Sequence, residues 1–258
     1  MKGLLRWILL VLVAALALQL FFVLRIATMA VIDPQSTSFQ RSEAWRIFNE
    51  TRRLRWRQQW VPYASISDHL KRAVIASEDG SFTNHDGVDW EAVEKAWQRN
   101  ARAEDQATRQ NEREAARRNA GRTAAPAAAP RAGRPPKIVG GSTITQQLAK
   151  NLLLSGERTL VRKGQEFVLS FLLERLLSKE RILEIYLNSV EWGEGVFGAE
   201  AAAQHYYRKS AAQLSAYESA RLAVMLPRPR YFEKLHNSGY LANRASTIVA
   251  RMRAAELP

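Results

Sequence analysis

The chain has 258 residues, of which 47% are hydrophobic, so it can bury one sizeable core and is not a disordered chain. It contains no cysteine, which excludes a disulfide framework, a catalytic thiolate and a zinc–cysteine site. The formal net charge of +13 favours an acidic partner, namely nucleic acid, an anionic membrane surface or a phosphorylated substrate.

The N-terminal part of the chain carries an apolar run from Trp7 to Leu24. As a helix this run rises roughly 27 Å, close to the thickness of a bilayer's hydrocarbon core. Lys2 and Arg6 precede it and favour a cytoplasmic N-terminus. A cleaved signal peptide is the alternative, but the run is longer than the usual ~7–15 apolar residues. We predict a cytoplasmic end at residues 1–6, a transmembrane helix at residues 7–29, and the remainder of the chain outside the cytoplasm.

A basic and aromatic segment lies within the linker that we place at residues 30–66. Tryptophan and arginine side chains this close to a membrane helix are suited to rest on lipid headgroups. An ordinary helix with a solvated basic face explains the same composition equally well, and both interpretations stay open. A nucleic-acid partner is not expected outside the cytoplasm. The residues concerned are Trp45, Phe48, Arg52, Arg53, Arg55, Trp56, Arg57 and Trp60.

The next stretch, ASEDGSFTNHDGVDW, combines two adjacent acids with turn residues. Glu78 and Asp79 follow the apolar face of a short helix. An acid in that position is a candidate for proton transfer, because partial desolvation raises its pKa. Asp89 is placed to cap the following helix. On these residues alone, turns that join two helices are the better explanation.

A helix is predicted from Asp89 to about Ala103, with Trp90, Val93 and Trp97 at helical spacing for core packing. The composition then becomes basic and rich in alanine and proline, which is typical of a mobile insertion. We place this insertion at about residues 103–137. Its first half is able to extend the helix, whereas its proline-rich half is not.

The stretch IVGGSTITQQLAKNLLL predicts a helix, with Thr143 and Gln146 as a capping box. Exposed amides at the helix N-terminus, with Lys150 and Asn151 further along, are suited to hold an anion, although a plain N-cap is the simpler explanation. Further on, helical spacing places Arg158, Arg162 and Glu166 on one side, with Lys163 beside Glu166; an ordinary solvated face is the alternative. Few later segments alternate with period two, so the fold class is predicted to be mainly α.

Five stretches, in this order, resemble the peptidoglycan glycosyltransferase family, the lysozyme-like transglycosylases that polymerise lipid II. They are EDGSFTNHDGVD, GGSTITQQLAKN, RKGQE, ILEIYLNSVEWGEGVFGAEAAAQHYY and ESARLAVMLPRPRYF. The resemblance implies a lysozyme-like glycosyltransferase domain at residues 67–258, behind one N-terminal transmembrane helix. The chain has neither an S-x-x-K nor a K-T-G motif, so it is similar to the monofunctional members, which lack a transpeptidase domain. The insertion is the main departure from the family's pattern.

The resemblance also implies roles for individual residues. Glu78 is expected to be the general base for the 4-hydroxyl of an incoming lipid II, which attacks C1 of the glycan held on undecaprenyl pyrophosphate with inversion. Glu166 is expected to orient the cations, to bind a metal or to assist the leaving group. Support of the site is expected from Asp79, His85 and Asn188. The implied substrate-binding residues are Ser142, Gln147, Lys150, Asn151, Arg158, Arg162 and Lys163.

No organic cofactor is implied, because the donor carries its own leaving group; a divalent metal (Mg or Mn) near Glu166 is an option. The expected partners are lipid II, the nascent glycan chain, the membrane, and cell-wall synthesis or division proteins. The expected location is the bacterial inner membrane, crossed once, with a periplasmic catalytic domain. The alternatives are a glycan-cleaving lysozyme or lytic transglycosylase, which has no use for four cations, and an inactive membrane scaffold.

Overall fold

The computed structural model of the chain describes residues 2–120, 141–154, 156–157 and 159–258. These residues are mainly α-helical, which confirms the predicted fold class. The helices are α1 (Lys2–Thr28), α2 (Ser38–Thr51), α3 (Asp68–Glu78), α4 (Trp90–Ala120), α5 (Ile144–Leu153), α6 (Leu160–Leu176), α7 (Lys179–Ser189), α8 (Ala199–Tyr207), α9 (Ala216–Met225), α10 (Pro229–Glu233) and α11 (Gly239–Met252). A small sheet contains β1 (Arg57–Gln58), β2 (Glu191–Gly193) and β3 (Val196–Phe197) in the order β1-β3-β2, with β1 parallel and β2 antiparallel to β3.

The chain forms two compact units, one made of Met1–Val88 with Thr143–Pro258 and the other of Asp89–Ser142. In the first unit α3, α9 and α11 pack against one another, and α5 packs against α6. The helices bury apolar stripes with helical spacing, as α5 does with Leu148 and Leu152. These helices make a core on which the ends of α3 and α5 are held in place.

Helix α1 is apolar along almost its whole length, with a mean hydropathy of 2.8 over its most apolar window. Among the described residues it is the one helix long and apolar enough to cross a membrane. Only Phe22 and Ile26 of this helix are buried. The side-chain amide of Gln19 exchanges hydrogen bonds of 3.0 and 3.2 Å with that of Gln165 on α6. The C-terminal half of α1 is therefore attached to α6.

In the second unit, helix α4 begins as predicted and continues further than its predicted end. The carboxylate of Asp89 accepts a hydrogen bond of 2.7 Å from the amide of Ala92, which confirms the predicted cap. The helix extends to Ala120, so the first half of the predicted insertion extends the helix, as its composition allows. The remainder of the insertion, at residues 121–137, lies outside the described residues.

The prediction that Trp90 and Trp97 pack in a core is wrong, because they are 65% and 77% exposed. The face of α4 that packs within this unit carries small side chains instead. A Cβ atom on Gly141 would lie 3.2 Å from the Cβ of Ala96 and 3.3 Å from the carbonyl oxygen of Ala92. Helical spacing places the two tryptophans on the helix but does not reveal which side of α4 is covered.

The basic and aromatic segment divides into two parts in the structure. Trp45 and Phe48 on α2 are exposed, and their rings stack with centroids 6.4 Å apart. The ring of Trp56 instead packs against Phe197, with centroids 5.2 Å apart, and Trp60 is partly buried against the core. The first part therefore carries the two aromatic side chains of this segment that are exposed, Trp45 and Phe48.

Candidate active site

Glu78 is the last residue of α3 and its side chain is partly exposed. One carboxylate oxygen, Oε2, accepts a hydrogen bond of 3.1 Å from the amide of Gln147, and the other is 3.4 Å from the hydroxyl of Ser77. Burial raises the pKa of Glu78 above its ordinary value; these two hydrogen bonds oppose that effect, and the charge of Asp79 adds to it. The net result is a carboxylate that is a stronger proton acceptor than an exposed one.

A buried tyrosine fixes the orientation of the Gln147 amide. The hydroxyl of Tyr186 donates a hydrogen bond of 2.9 Å to Oε1 of Gln147, so the NH₂ group of that amide faces Glu78. Burial raises the pKa of Tyr186 well above its usual value, as do the charges of Glu78 and Asp79, so the tyrosine stays a donor. Tyr186, Gln147 and Glu78 thus form one hydrogen-bonded chain, which the sequence analysis did not identify.

Asp79 and His85 hold the loop that follows Glu78. Nε2 of His85 lies 2.9 and 3.1 Å from the two carboxylate oxygens of Asp79, and Nδ1 accepts a hydrogen bond of 3.1 Å from the amide of Gly87. This pattern assigns the proton of a neutral imidazole to Nε2. The second oxygen of Asp79 also accepts a hydrogen bond of 2.9 Å from the amide of Ile144, at the first turn of α5. Asp79 therefore connects the ends of two helices.

The suggestion that exposed amides at the start of α5 hold an anion is wrong. The amide of Ile144 is bonded to Asp79, and Thr143 and Gln146 form the predicted capping box, which is buried. The hydroxyl of Thr143 also donates a hydrogen bond of 2.6 Å to the carbonyl oxygen of Gly87. The simpler N-cap explanation is confirmed, since the protein's own carboxylate takes the place of an external anion.

Lys179 and Glu174 hold the end of the same loop at His85. Nζ of Lys179 donates hydrogen bonds of 2.5 Å to the carbonyl oxygen of His85 and 2.8 Å to Oε1 of Glu174. The same oxygen of Glu174 accepts a hydrogen bond of 2.6 Å from the hydroxyl of Thr145. No spacing pattern in the sequence predicts this network, because Thr145 and His85 are far in the chain from Glu174 and Lys179.

The cations on α6 gather around Glu166, as their helical spacing predicts. Nη1 of Arg162 donates a hydrogen bond of 3.0 Å to one carboxylate oxygen, and Lys163 donates to the other. Glu166 is only 3% exposed. Nε of Arg162 is buried and has no hydrogen-bond partner among the described residues. Glu166 thus holds two cations in place, and one of them has a buried donor to spare.

A cavity of about 550 Å³ brings together three of the residues predicted to bind substrate, Lys150, Asn151 and Arg162. Gln147 precedes Lys150 by three residues on α5, so the two lie about one turn apart on the same helix. Glu78, which Gln147 contacts, is not part of the cavity lining. The full lining is Ser38, Phe39, Arg41, Ser42, Lys150, Asn151, Leu153, Leu154, Gly156, Glu157 and Arg162.

The remaining predicted site residues have other positions. Ser142 is exposed and is the last residue of the second unit. Arg158 lies outside the described residues. Asn188 is fully buried and its side-chain amide bonds to the backbone nitrogen (3.0 Å) and oxygen (2.9 Å) of Val61. It therefore fixes the segment that leads into α3 and makes no hydrogen bond with Glu78.

The described residues contain no group of three histidine, cysteine or acidic side chains that could hold a metal ion. Both oxygens of Glu166 accept hydrogen bonds from the cations of α6. A divalent metal near Glu166 accordingly stays a prediction.

Comparison with known proteins gives transglycosylases, both for the family model and for the similar proteins. The family model described as Transglycosylase matches residues 46–110 and 122–253. A biosynthetic peptidoglycan transglycosylase of Burkholderia thailandensis is 51% identical over 95% of this chain and 84% of its own. The proteins of that name from Herminiimonas arsenicoxydans and Bordetella pertussis are 48% and 49% identical, over 100% and 96% of this chain and 99% and 91% of their own. With the matched residues covering more than half of its length, the chain belongs to the transglycosylase family.

Proposed function

We propose that this protein is a membrane-anchored peptidoglycan polymerase. It transfers the growing glycan from undecaprenyl pyrophosphate to the 4-hydroxyl of lipid II and releases undecaprenyl pyrophosphate. The relatives named biosynthetic peptidoglycan transglycosylases support this activity. The observation that carries it is on α5, where Gln147 holds the carboxylate of Glu78 and Lys150, one turn later, lines a cationic cavity. A proton acceptor and a phosphate-binding region are the two parts that this reaction needs.

Glu78 acts as the general base in this proposal. As the 4-hydroxyl attacks C1, it must lose its proton, and a carboxylate whose pKa is raised toward neutrality accepts that proton more readily. Gln147 and Tyr186 hold the carboxylate in one orientation during the attack. Attack opposite the leaving group inverts the sugar from α to β in a single displacement.

The cations stabilise the pyrophosphate as its negative charge grows. Contacts that strengthen as the bond breaks lower the barrier, and such contacts contribute on the order of 3 kcal/mol each. Lys150, Arg158, Arg162 and Lys163 have this role here. Among the three roles considered for Glu166, its hydrogen bonds to Arg162 and Lys163 favour the orientation of these cations.

We place the protein in the bacterial inner membrane, crossed once by α1, with a cytoplasmic N-terminus and a periplasmic catalytic domain. Lys2 and Arg6 at the start of α1 support this orientation. Because the chain has no cysteine, a single cysteine introduced at the exposed Asn237 reports the topology. A membrane-impermeant maleimide should label it in intact spheroplasts, and labelling only after lysis would contradict the proposed orientation.

The products distinguish polymerisation from the alternatives. Purified full-length protein in neutral detergent should convert labelled lipid II into long glycan chains and should release no soluble fragments from isolated sacculi. Release of muropeptides without consumption of lipid II would support a glycan-cleaving enzyme instead. Neither product, from a folded preparation, would support the inactive scaffold.

A further inference from the structure

One wall of the cationic cavity is contributed by the first turns of α2, which precede the residues of the family match. Ser38, Arg41 and Ser42 line the cavity together with Lys150 and Arg162. They come before residue 46, where the family match begins. The hydroxyl of Ser38 donates a hydrogen bond of 3.0 Å to the carbonyl oxygen of Leu152, which attaches the start of α2 to α5. The wall is therefore fixed to the helix that carries the predicted substrate-binding residues.

The charge of Arg41 is not neutralised by a carboxylate. Its guanidinium donates hydrogen bonds to the carbonyl (3.2 Å) and hydroxyl (3.0 Å) oxygens of Ser36 and to the hydroxyl of Ser38 (3.2 Å). In the described parts of the chain, no carboxylate lies within salt-bridge distance of it. Arg46, five residues later on the same helix, is by contrast paired with Glu43 at 2.8 Å. Arg41 is thus oriented by neutral groups and keeps its full charge.

Two further cationic groups lie in this region, Arg25 and Arg162. The guanidinium of Arg25 on α1 is close enough to Arg41 for the two charges to repel each other. Like charges held together cost free energy unless an anion lies near them. Arg162 lines the same cavity and adds a third positive charge. An anion with several oxygens in the cavity would offset the repulsion and pair with these guanidinium groups.

The chain geometry places this wall next to the end of α1. Nε of Arg181 donates a hydrogen bond of 2.8 Å to the carbonyl oxygen of Met29, and its Nη2 lies 2.7 Å from Asp33. The short connection between α1 and α2 is therefore held against α7. If α1 spans the bilayer, this short connection keeps the start of α2, and with it Arg41, near the membrane surface.

We propose that Arg41 binds a phosphate group carried on a membrane lipid, as a wall of the same cavity that Lys150 and Arg162 line. The inference rests on the proposed function for the identity of the main ligand, the pyrophosphate of the lipid-linked sugar donor. An anionic phospholipid headgroup has the same chemistry and is the second source. With either ligand, helix α2, which follows the membrane anchor, forms part of the binding site.

Kinetics on lipid II and vesicle binding distinguish the two sources. The variant Arg41→Gln removes the charge, and Arg244→Gln is the matched control, since Arg244 is exposed on α11 and does not line the cavity. In neutral detergent, Arg41→Gln should raise KM for lipid II about tenfold, while Arg244→Gln stays within about twofold of the wild type. Arg41→Lys, which keeps the charge but not the planar fork, should recover part of the loss and also guards against a folding defect.

The second arm measures partition of the wild type and both variants into phosphatidylglycerol-containing vesicles without lipid II. A loss of partition for Arg41→Gln alone, with unchanged KM, assigns the site to the phospholipid; a raised KM assigns it to the substrate. Equal KM and equal partition for Arg41→Gln and Arg244→Gln would overturn the proposal. Failure of the wild type to consume lipid II contradicts the proposed function instead, and the vesicle arm still tests Arg41.

Discussion

Asp79→Asn perturbs the connection between the two helices that form the site. The carboxylate of Asp79 receives a hydrogen bond from His85 at 2.9 Å and one from the amide of Ile144 at 2.9 Å. Hydrogen bonds to a charged group contribute about 1.5–3 kcal/mol, against about 1 kcal/mol for neutral ones. Asparagine keeps one acceptor oxygen but loses the charge at the start of α5, which is worth roughly 0.5 kcal/mol more. We expect the free energy of unfolding to fall by about 2–4 kcal/mol.

The assay is urea unfolding of the full chain in neutral detergent, followed by circular dichroism, together with initial rates on lipid II. Asp86→Asn is the control, because Asp86 is exposed in the same loop and its replacement should change stability by less than about 0.5 kcal/mol. Asp79→Asn should also reduce the rate more than tenfold, since a small displacement of Glu78 misaligns the proton transfer. If the two variants are equally stable and equally active, the role given to Asp79 is refuted.

The remaining predictions concern other buried groups. Tyr186→Phe should lower the free energy of unfolding by about 1 kcal/mol. It should also move the acidic limb of the pH–rate profile to higher pH, because it weakens the hydrogen bond from Gln147 that lowers the pKa of Glu78. The control Tyr206→Phe should lower the free energy of unfolding by about the same amount without shifting the profile. Glu78→Gln should raise the melting temperature at pH 8 but not at pH 4. Burial raises the folded-state pKa of Glu78, so the charged form destabilises the fold above that pKa, and the penalty is absent below the unfolded-state pKa. Burial likewise raises the pKa of Glu191 to about 7, so the wild type should lose stability between pH 5 and 8, and Glu191→Gln should lose less over the same range.

The sequence was most informative for features that depend on a few residues close together in the chain. Capping chemistry predicted the starts of α4 at Asp89 and α5 at Thr143, because a side chain that bonds the first turn is a property of a few adjacent residues. Helical spacing likewise predicted that Arg162 and Lys163 meet Glu166, since all three lie on one helix.

The sequence was less informative where contacts join distant segments. Helical spacing could not show that Trp97 faces away from the packed side of α4. Helical spacing also could not show that the carboxylate of Asp79 bonds the first amide of α5, because Asp79 and Ile144 meet only in the folded chain. The bond from Tyr186 to Gln147 and the place of Arg41 in the cavity could not be predicted for the same reason: both depend on packing between helices, which no single stretch encodes.

The central claim is that Glu78 is the base for glycan transfer. The most direct test compares rates of lipid II polymerisation for Glu78→Gln and for Glu180→Gln, which changes an exposed carboxylate on α7. We predict that Glu78→Gln loses about a hundredfold to ten-thousandfold in rate while folded and able to bind lipid II, and that Glu180→Gln retains wild-type rates. A folded Glu78→Gln protein that polymerises lipid II within about tenfold of the wild-type rate would contradict the account.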